Sequence, residues 1–422
     1  MRLARRRRKQ ARPARRRTQA RAREEECRHG RGRGKEGTDA RDLQEGENET
    51  RFTNASIIES QSSRIAILLL QFLSFRAEPR LDEIDPQSVI RTIESNDGQI
   101  FDCVSFMSQP SLQHPLLRNH TVQMQSASSY ALGIARGNVT KFSNPSVEMS
   151  EIECPARTVP ILRSYNGSTP YRPLNIISGG NSDENDRRGY VLQLWLQVHL
   201  LFMHHIGMGR PPRFSGAITT MQNGREPKIS AVYAGWFVDP HLYGDDRVHF
   251  EIGWKDNGKA CINLRCPGFV QVSRKVTPGS LSKPISMING VQYVMQVTIF
   301  QDQHDANWCL NLGKEFVGYW PKELFRYMSE AASMVGWVGA ADAAAGESYP
   351  PMGSGEPPEN GRGRSAFFDR AQIVDQSKQV VVPDLGNIFI QTTDPNCYRV
   401  GRTDTSQEGL RFYFGGPGCK PS

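Results

Sequence analysis

The C-terminal half of the sequence predicts an all-β fold, a sandwich or a barrel, and three observations carry that expectation. Short runs of β-formers begin at Lys228: Ile229–Val232, Val248–Ile252, Phe269–Val272, Tyr293–Phe300, Trp308–Leu312 and Phe412–Phe414. Gly, Pro, Asn and Asp separate these runs at short intervals, which marks turns. Only one stretch there has the helical period. Pro321–Val335 places Leu324, Phe325, Met328, Ala331, Ala332 and Val335 on one face behind an N-terminal Pro, and a helix is expected.

The preceding chain divides by composition. Residues 1–60 are charged, rich in Gly and Arg, and poor in apolar runs, so they are expected to be a disordered basic extension. Residues 61–78 contain the apolar run Ile65–Phe75 between Arg64 and Ala77, the layout of a secretory signal, although it is displaced from Met1. It is too short to span a bilayer stably. Residues 85–125 read as a small unit with a short helix around Ser88–Ile93 and a tight turn at Asn96-Asp97-Gly98. Residues 126–165 resemble a linker, and 166–422 are assigned to the β domain. Within the latter, 189–208 is the most apolar stretch. It holds Gln193, Gln197, His199, His204 and His205, which argues for a core or interface segment rather than a membrane span. Adjacent histidines diverge on a helix and no Cys or carboxylate lies at ligand spacing, so no metal is expected there.

The net charge of +8 is unevenly placed. Residues 1–36 hold 16 Lys and Arg against 4 Glu, leaving 36 basic and 40 acidic side chains elsewhere. The basic extension has no aromatic residue and offers no stacking platform for bases, so no nucleic-acid partner is expected. There are eight Cys. The close spacing of Cys261 and Cys266 lacks the second Cys or His pair of a zinc site, and a disulfide is the better reading. Cys261–Cys266 and Cys397–Cys419 are the expected pairs, with Cys309 left over and Cys27, Cys103 and Cys154 upstream. Five Asn-x-Ser/Thr sequons, at Asn48, Asn54, Asn119, Asn138 and Asn166, join the paired cysteines in favouring secretion.

Two stretches resemble one family. The first runs from Val89 to Val104 and includes Gly98-Gln99-Ile100-Phe101-Asp102-Cys103-Val104, followed by His114-Pro115-Leu116-Leu117-Arg118-Asn119-His120. It is similar to the activation peptide that precedes neprosin domains. The second contains Ala234-Gly235-Trp236, Leu242-Tyr243-Gly244-Asp245, Cys266-Pro267-Gly268-Phe269-Val270, Gly318-Tyr319-Trp320-Pro321, Met352-Gly353-Ser354-Gly355 and Phe414-Gly415-Gly416-Pro417-Gly418. These resemble motifs of the neprosin domain itself. The resemblance implies an antiparallel two-sheet β-sandwich secreted by plants as a zymogen. It further implies a glutamic peptidase that cuts after proline at acid pH, with proline-rich peptides or proteins as partners and without a cofactor or metal.

That chemistry needs two facing carboxyls. One takes a proton from the attacking water, and the other, kept protonated, donates to the oxyanion or leaving group. By the resemblance, the first glutamate immediately precedes Ala-Gly-Trp, where this chain has Tyr233. The second matches Ala340 in Trp337-Val338-Gly339-Ala340, with Asp342 close by. The expected catalytic set is therefore empty, and the protein is expected to be impaired as a peptidase. Trp236 and Tyr243 are the expected cleft residues. An acid pair built from other carboxylates is the alternative. Of those near the motifs, Asp239, Asp245, Glu251 and Glu356, Asp245 is expected to serve a turn and Glu251 to point to solvent from an alternating strand.

Overall fold

The computed structural model describes 84–125, 144–149, 151–163, 213–225, 228–344, 346–375, 380–392 and 394–420, together with the backbone of 192–197. All of these belong to one compact unit, 66–422. The basic extension, the signal-like segment, Cys27, the histidines at 199, 204 and 205, and all sequons but Asn119 lie outside the described residues.

The strands, in chain order, begin with β1 (Val89–Glu94), β2 (Ile100–Ser105), β3 (Glu148–Met149), β4 (Thr158–Leu162) and β5 (Leu192–Gln197). Next come β6 (Arg213–Arg225), β7 (Lys228–Val238), helix α1 (Pro240–Tyr243), β8 (His249–Asp256), β9 (Lys259–Ile262), β10 (Val270–Gln271) and β11 (Ser282–Lys283). Then follow β12 (Val294–Gln301), β13 (Trp308–Leu312), β14 (Glu315–Trp320), β15 (Met334–Ala343) and β16 (Ala366–Val374). The last are β17 (Val380–Val381), β18 (Arg399–Val400), β19 (Asp404–Ser406) and β20 (Gly409–Gly415).

The fold is all-β, as the sequence predicts. One sheet has the order β15-β6-β7-β8-β9, and a ten-stranded sheet has the main order β10-β14-β13-β12-β5-β16-β20-β18. All the paired strands of both sheets are antiparallel. One continuous core joins them. Val232, Trp236, Phe250 and Trp254 of the smaller sheet cluster with Val297, Ile299, Trp308, Tyr319, Phe368 and Phe414 of the larger. A separate three-stranded sheet, β1-β2-β4, forms the N-terminal unit, and β3 pairs with β11. The apolar stretch 189–208 contributes β5 between β12 and β16, in the interior of the larger sheet.

Two expected helices are corrected. Residues 89–94 form β1 behind a 3-10 turn at Pro86–Ser88. Its β-branched residues Val89, Ile90, Thr92 and Ile93 suit a pleated surface better than a helix. Pro321–Val335 contains only a 3-10 turn at Lys322–Leu324 before β15 begins at Met334. Its apolar spacing does serve the core, since Leu324, Phe325, Met328 and Ala332 are all buried there. Its backbone groups, however, are taken by other elements. Asp256 accepts from Arg326 N–H and Ser230 Oγ from Tyr327 N–H, while Trp308 donates to Met328 O and Gln301 to Ser329 O. With its donors and acceptors satisfied from outside, the segment has no need of an internal helical ladder.

Candidate functional site

Strand β7 is apolar on both faces, and the two faces have different neighbours. Val232, Ala234, Trp236 and Val238 enter the shared core. Tyr233 and Phe237 turn to the opposite face, where they form a second cluster with Ile218, Phe214, Val338 and Ala340. Tyr233 and Ala340 therefore share one face of one sheet, with β6 between their strands. Tyr233 pairs with Thr220 of β6, and Ala340 with Gly216. Gly216 is also opposite Phe237, whose ring lies so close that a Cβ on Gly216 would fall 2.4 Å from it. Phe237 stacks edge-on with Phe214 at 5.7 Å and with Tyr233 at 6.4 Å. An aromatic plug thus occupies the sheet face between the two positions where the resemblance expects acids.

The Tyr233 ring runs across β8. Its register partner there is Gly253, and a Cβ on Gly253 would meet the ring at 2.2 Å. The missing side chain lets the tyrosine reach Glu251, two residues along the same face. Tyr233 Oη donates to Glu251 Oε1 at 3.0 Å, and Tyr243 Oη donates to Oε2 at 2.8 Å. Asn263 Nδ2 donates in turn to Tyr243 Oη at 2.9 Å. Glu251 is 2 % exposed, which corrects the solvent-facing expectation. The polar position in an alternating strand is covered because the α1 segment folds Tyr243 back over it.

Burial dominates the titration of this carboxyl. Desolvation raises it, hydrogen bonds from Tyr243 and Tyr233 lower it, the charge of Asp239 raises it and that of Arg265 lowers it, leaving its pKa at about 8. Glu251 is thus a carboxylic acid held protonated at neutral pH. Burial likewise pushes the Tyr243 hydroxyl well above its ordinary value, aided by Glu251.

A second polar chain flanks this cluster. The Tyr243 ring stacks on His249 at 3.8 Å with the planes 2° apart. His249 contacts Asp245 Oδ1 and Gly279 O, both at 2.8 Å. Burial raises the pKa of Asp245, but hydrogen bonds from His249 and Arg247 and the charge of His249 outweigh it. The net effect holds this carboxylate well below its usual range. Asp245 also accepts from Arg247 N–H, consistent with a turn.

The remaining sequence candidates are dispersed. Trp236 is 1 % exposed in the shared core, on the face of β7 opposite Tyr233. Asp239 caps α1, accepting from His241 and Leu242 N–H. Asp342 accepts from Ala343 N–H, and Glu356 pairs with Arg364 and Asn360. Cys261–Cys266 and Cys397–Cys419 are disulfides, and Cys309 is buried outside any disulfide among the described residues. A third disulfide, Cys103–Cys154, was not paired from the sequence. Asp394 lies near Cys397 and Cys419, but disulfide formation removes both thiolates as metal ligands.

Two family models match the chain. The Neprosin family model matches 211–417, which takes in every strand from β6 to β20. The Neprosin activation peptide model matches 92–168, which takes in nearly all of the β1-β2-β4 unit. A peptidase-like domain preceded by its activation segment places this chain in the neprosin family.

Proposed function

We propose that this protein is a secreted neprosin-domain protein that acts without peptidase catalysis, as an extracellular binding protein. The observation that carries the reading is the fate of the position before Ala-Gly-Trp. It holds Tyr233, whose hydroxyl is committed to a buried, protonated Glu251. Ala340 brings no titratable group to the same face, and Phe237 lies opposite its register partner Gly216. A tyrosine cannot replace a carboxylate as general base at acid pH, because its reference pKa is about 10. Each general acid or base contributes typically ~10²–10⁴-fold, so loss of both leaves little catalysis. Proline-rich peptides or proteins are the partner class that kinship suggests. Exposed Asn119 supports an extracellular setting as a glycan acceptor. Among the described residues no helix is long and apolar enough to cross a membrane.

The test is a proline-peptide cleavage assay from acid to neutral pH with the purified full chain. No cleavage is expected. One observation favours a second reading, an acid pair assembled elsewhere: Glu251 keeps its proton and feels the charge of Asp239. In that case the unmodified protein would cut after proline, and Glu251→Gln would abolish the cut while leaving the fold intact. Post-proline cleavage that survives Glu251→Gln would contradict both readings.

A further inference from the structure

The activation segment is wired into the domain by side-chain amides that act as backbone. Strand β10 ends the ten-stranded sheet, so one side of it lacks a neighbouring strand. Gln109 fills that place. Its Oε1 accepts from Gln271 N–H at 2.8 Å and its Nε2 donates to Gln271 O at 3.2 Å. Two residues on, Ser111 O accepts from Gly268 N–H at 3.2 Å. The short 109–111 segment thus covers an open sheet edge, which otherwise would be a site of unwanted pairing. Gln271 replies in the other direction, its Nε2 donating to Pro160 O at 2.9 Å. Gln99 repeats the device, accepting from Leu281 N–H at 2.9 Å and donating to Gly279 O at 3.2 Å. Gln109, Gln271 and Gln99 are all buried. Cys154 and Arg274 are joined twice, by Cys154 N–H to Arg274 O and Arg274 Nε to Cys154 O.

Apolar contacts run the same way. Leu117 is 2 % exposed and belongs to the core shared by the two large sheets. Leu264 packs both on that core and on the small cluster of Val104, Phe106, Val159 and Ile161 in the N-terminal unit. Lys283 pairs with Asp97 at 2.7 Å on the exposed rim, where such pairs are worth little. The only disulfide in this part, Cys103–Cys154, lies within the unit, and among the described residues none ties it to 213–420.

We propose that residues 84–125, 144–149 and 151–163 are a standing part of the folded protein. When a peptide bond on their C-terminal side is hydrolysed, with one water consumed and a new carboxyl and amino terminus formed, they stay seated on 213–420. The processed protein is then a two-chain complex held without a covalent link. This inference is independent of whether the domain cleaves peptides.

The test places a recognition sequence for a site-specific protease between residues 164 and 191 of the full chain. Cutting is confirmed on a denaturing gel, and the product is run on native gel filtration at neutral pH. The halves should co-elute, and the amides of β1 and β2 should keep the hydrogen-exchange protection of the uncut protein. Separation of the halves, or loss of that protection, overturns the proposal. The variant Gln99→Ala with Gln109→Ala, cut in the same way, should dissociate at concentrations about tenfold higher or more. Halves that hold together as tightly as in the unsubstituted protein would remove the amides as the clasp.

Discussion

Glu251 is the residue at which the physics of the site is most exposed. Its folded form keeps a proton up to a pKa of about 8, whereas the ordinary glutamate value is 4.5. Between those values the unfolded chain has released a proton that the folded chain retains. Stability therefore falls as pH rises through that window, and the advantage is complete only below the unfolded value. The expected loss between pH 5 and 8 is on the order of 2–4 kcal/mol. Urea unfolding should show it in the unmodified protein and not in Glu251→Gln, whose amide never ionises. A parallel pH dependence in both would remove Glu251 as its source. Gly253 supplies a second check. An added methyl there would meet the Tyr233 ring at 2.2 Å, and the ring is held on its other sides by Phe237 and Ile218. Gly253→Ala should cost about 1–3 kcal/mol, read as a lower denaturation midpoint. The same substitution in a Tyr233→Ala background should cost much less, and an equal cost would separate the glycine from the tyrosine.

At the scale of the elements, three disulfides close loops of very different span, with sequence separations of 51, 22 and 5 residues. If constraint of the unfolded chain dominates, replacing Cys103–Cys154, Cys397–Cys419 and Cys261–Cys266 by serine pairs should cost roughly 4, 3 and 2 kcal/mol in that order. Thermal melts of the three paired variants check the ranking. A larger loss at 261–266 than at 103–154 would show native-state packing to be the stronger effect. The two shorter pairs were legible in the sequence because their cysteines lie close together in the chain. Cys103–Cys154 was not, because nothing local announces contact between β2 and the segment before β4. The strands were legible wherever β-formers met turn residues, and the expected helices failed for two different reasons. At 89–94 the run was short and β-branched, so its period was ambiguous. At 321–335 the period was genuine, but long-range side chains had taken the backbone. The site was half legible. Motif register put Tyr233 and Ala340 forward, and the structure sets both on one face of one sheet. The burial of Glu251 depends on a glycine two residues along its own strand and on a tyrosine from α1, neither of which periodicity can reveal.

For the whole molecule, the question is whether the N-terminal unit and the domain unfold as one. Among the described residues, the unit's own buried apolar cluster is small: Val104, Phe106, Val159 and Ile161, with Ile84 and Val89 packed against it. Sets of this size seldom support an independent fold, even with one disulfide. Leu264 closes that cluster from the domain side, and Leu117 leaves the unit to join the shared core. The interface also differs from that between loosely coupled domains, which is polar and permits relative motion. Here buried amides replace strand pairing, as at Gln109 and Gln271. Unfolding the unit alone would uncover the edge of β10 and withdraw a side chain from the main core. Unfolding the domain alone would leave the unit without most of its cover. Neither partial state is stable relative to the intact or the fully unfolded chain, so calorimetry of the uncut protein should give a single transition. Its calorimetric and van't Hoff enthalpies should agree, and tyrosine fluorescence and far-ultraviolet dichroism should change at one temperature. Two resolved transitions, the earlier one accompanied by loss of exchange protection in β1 and β2, would show that the amides align the unit without coupling it to the core.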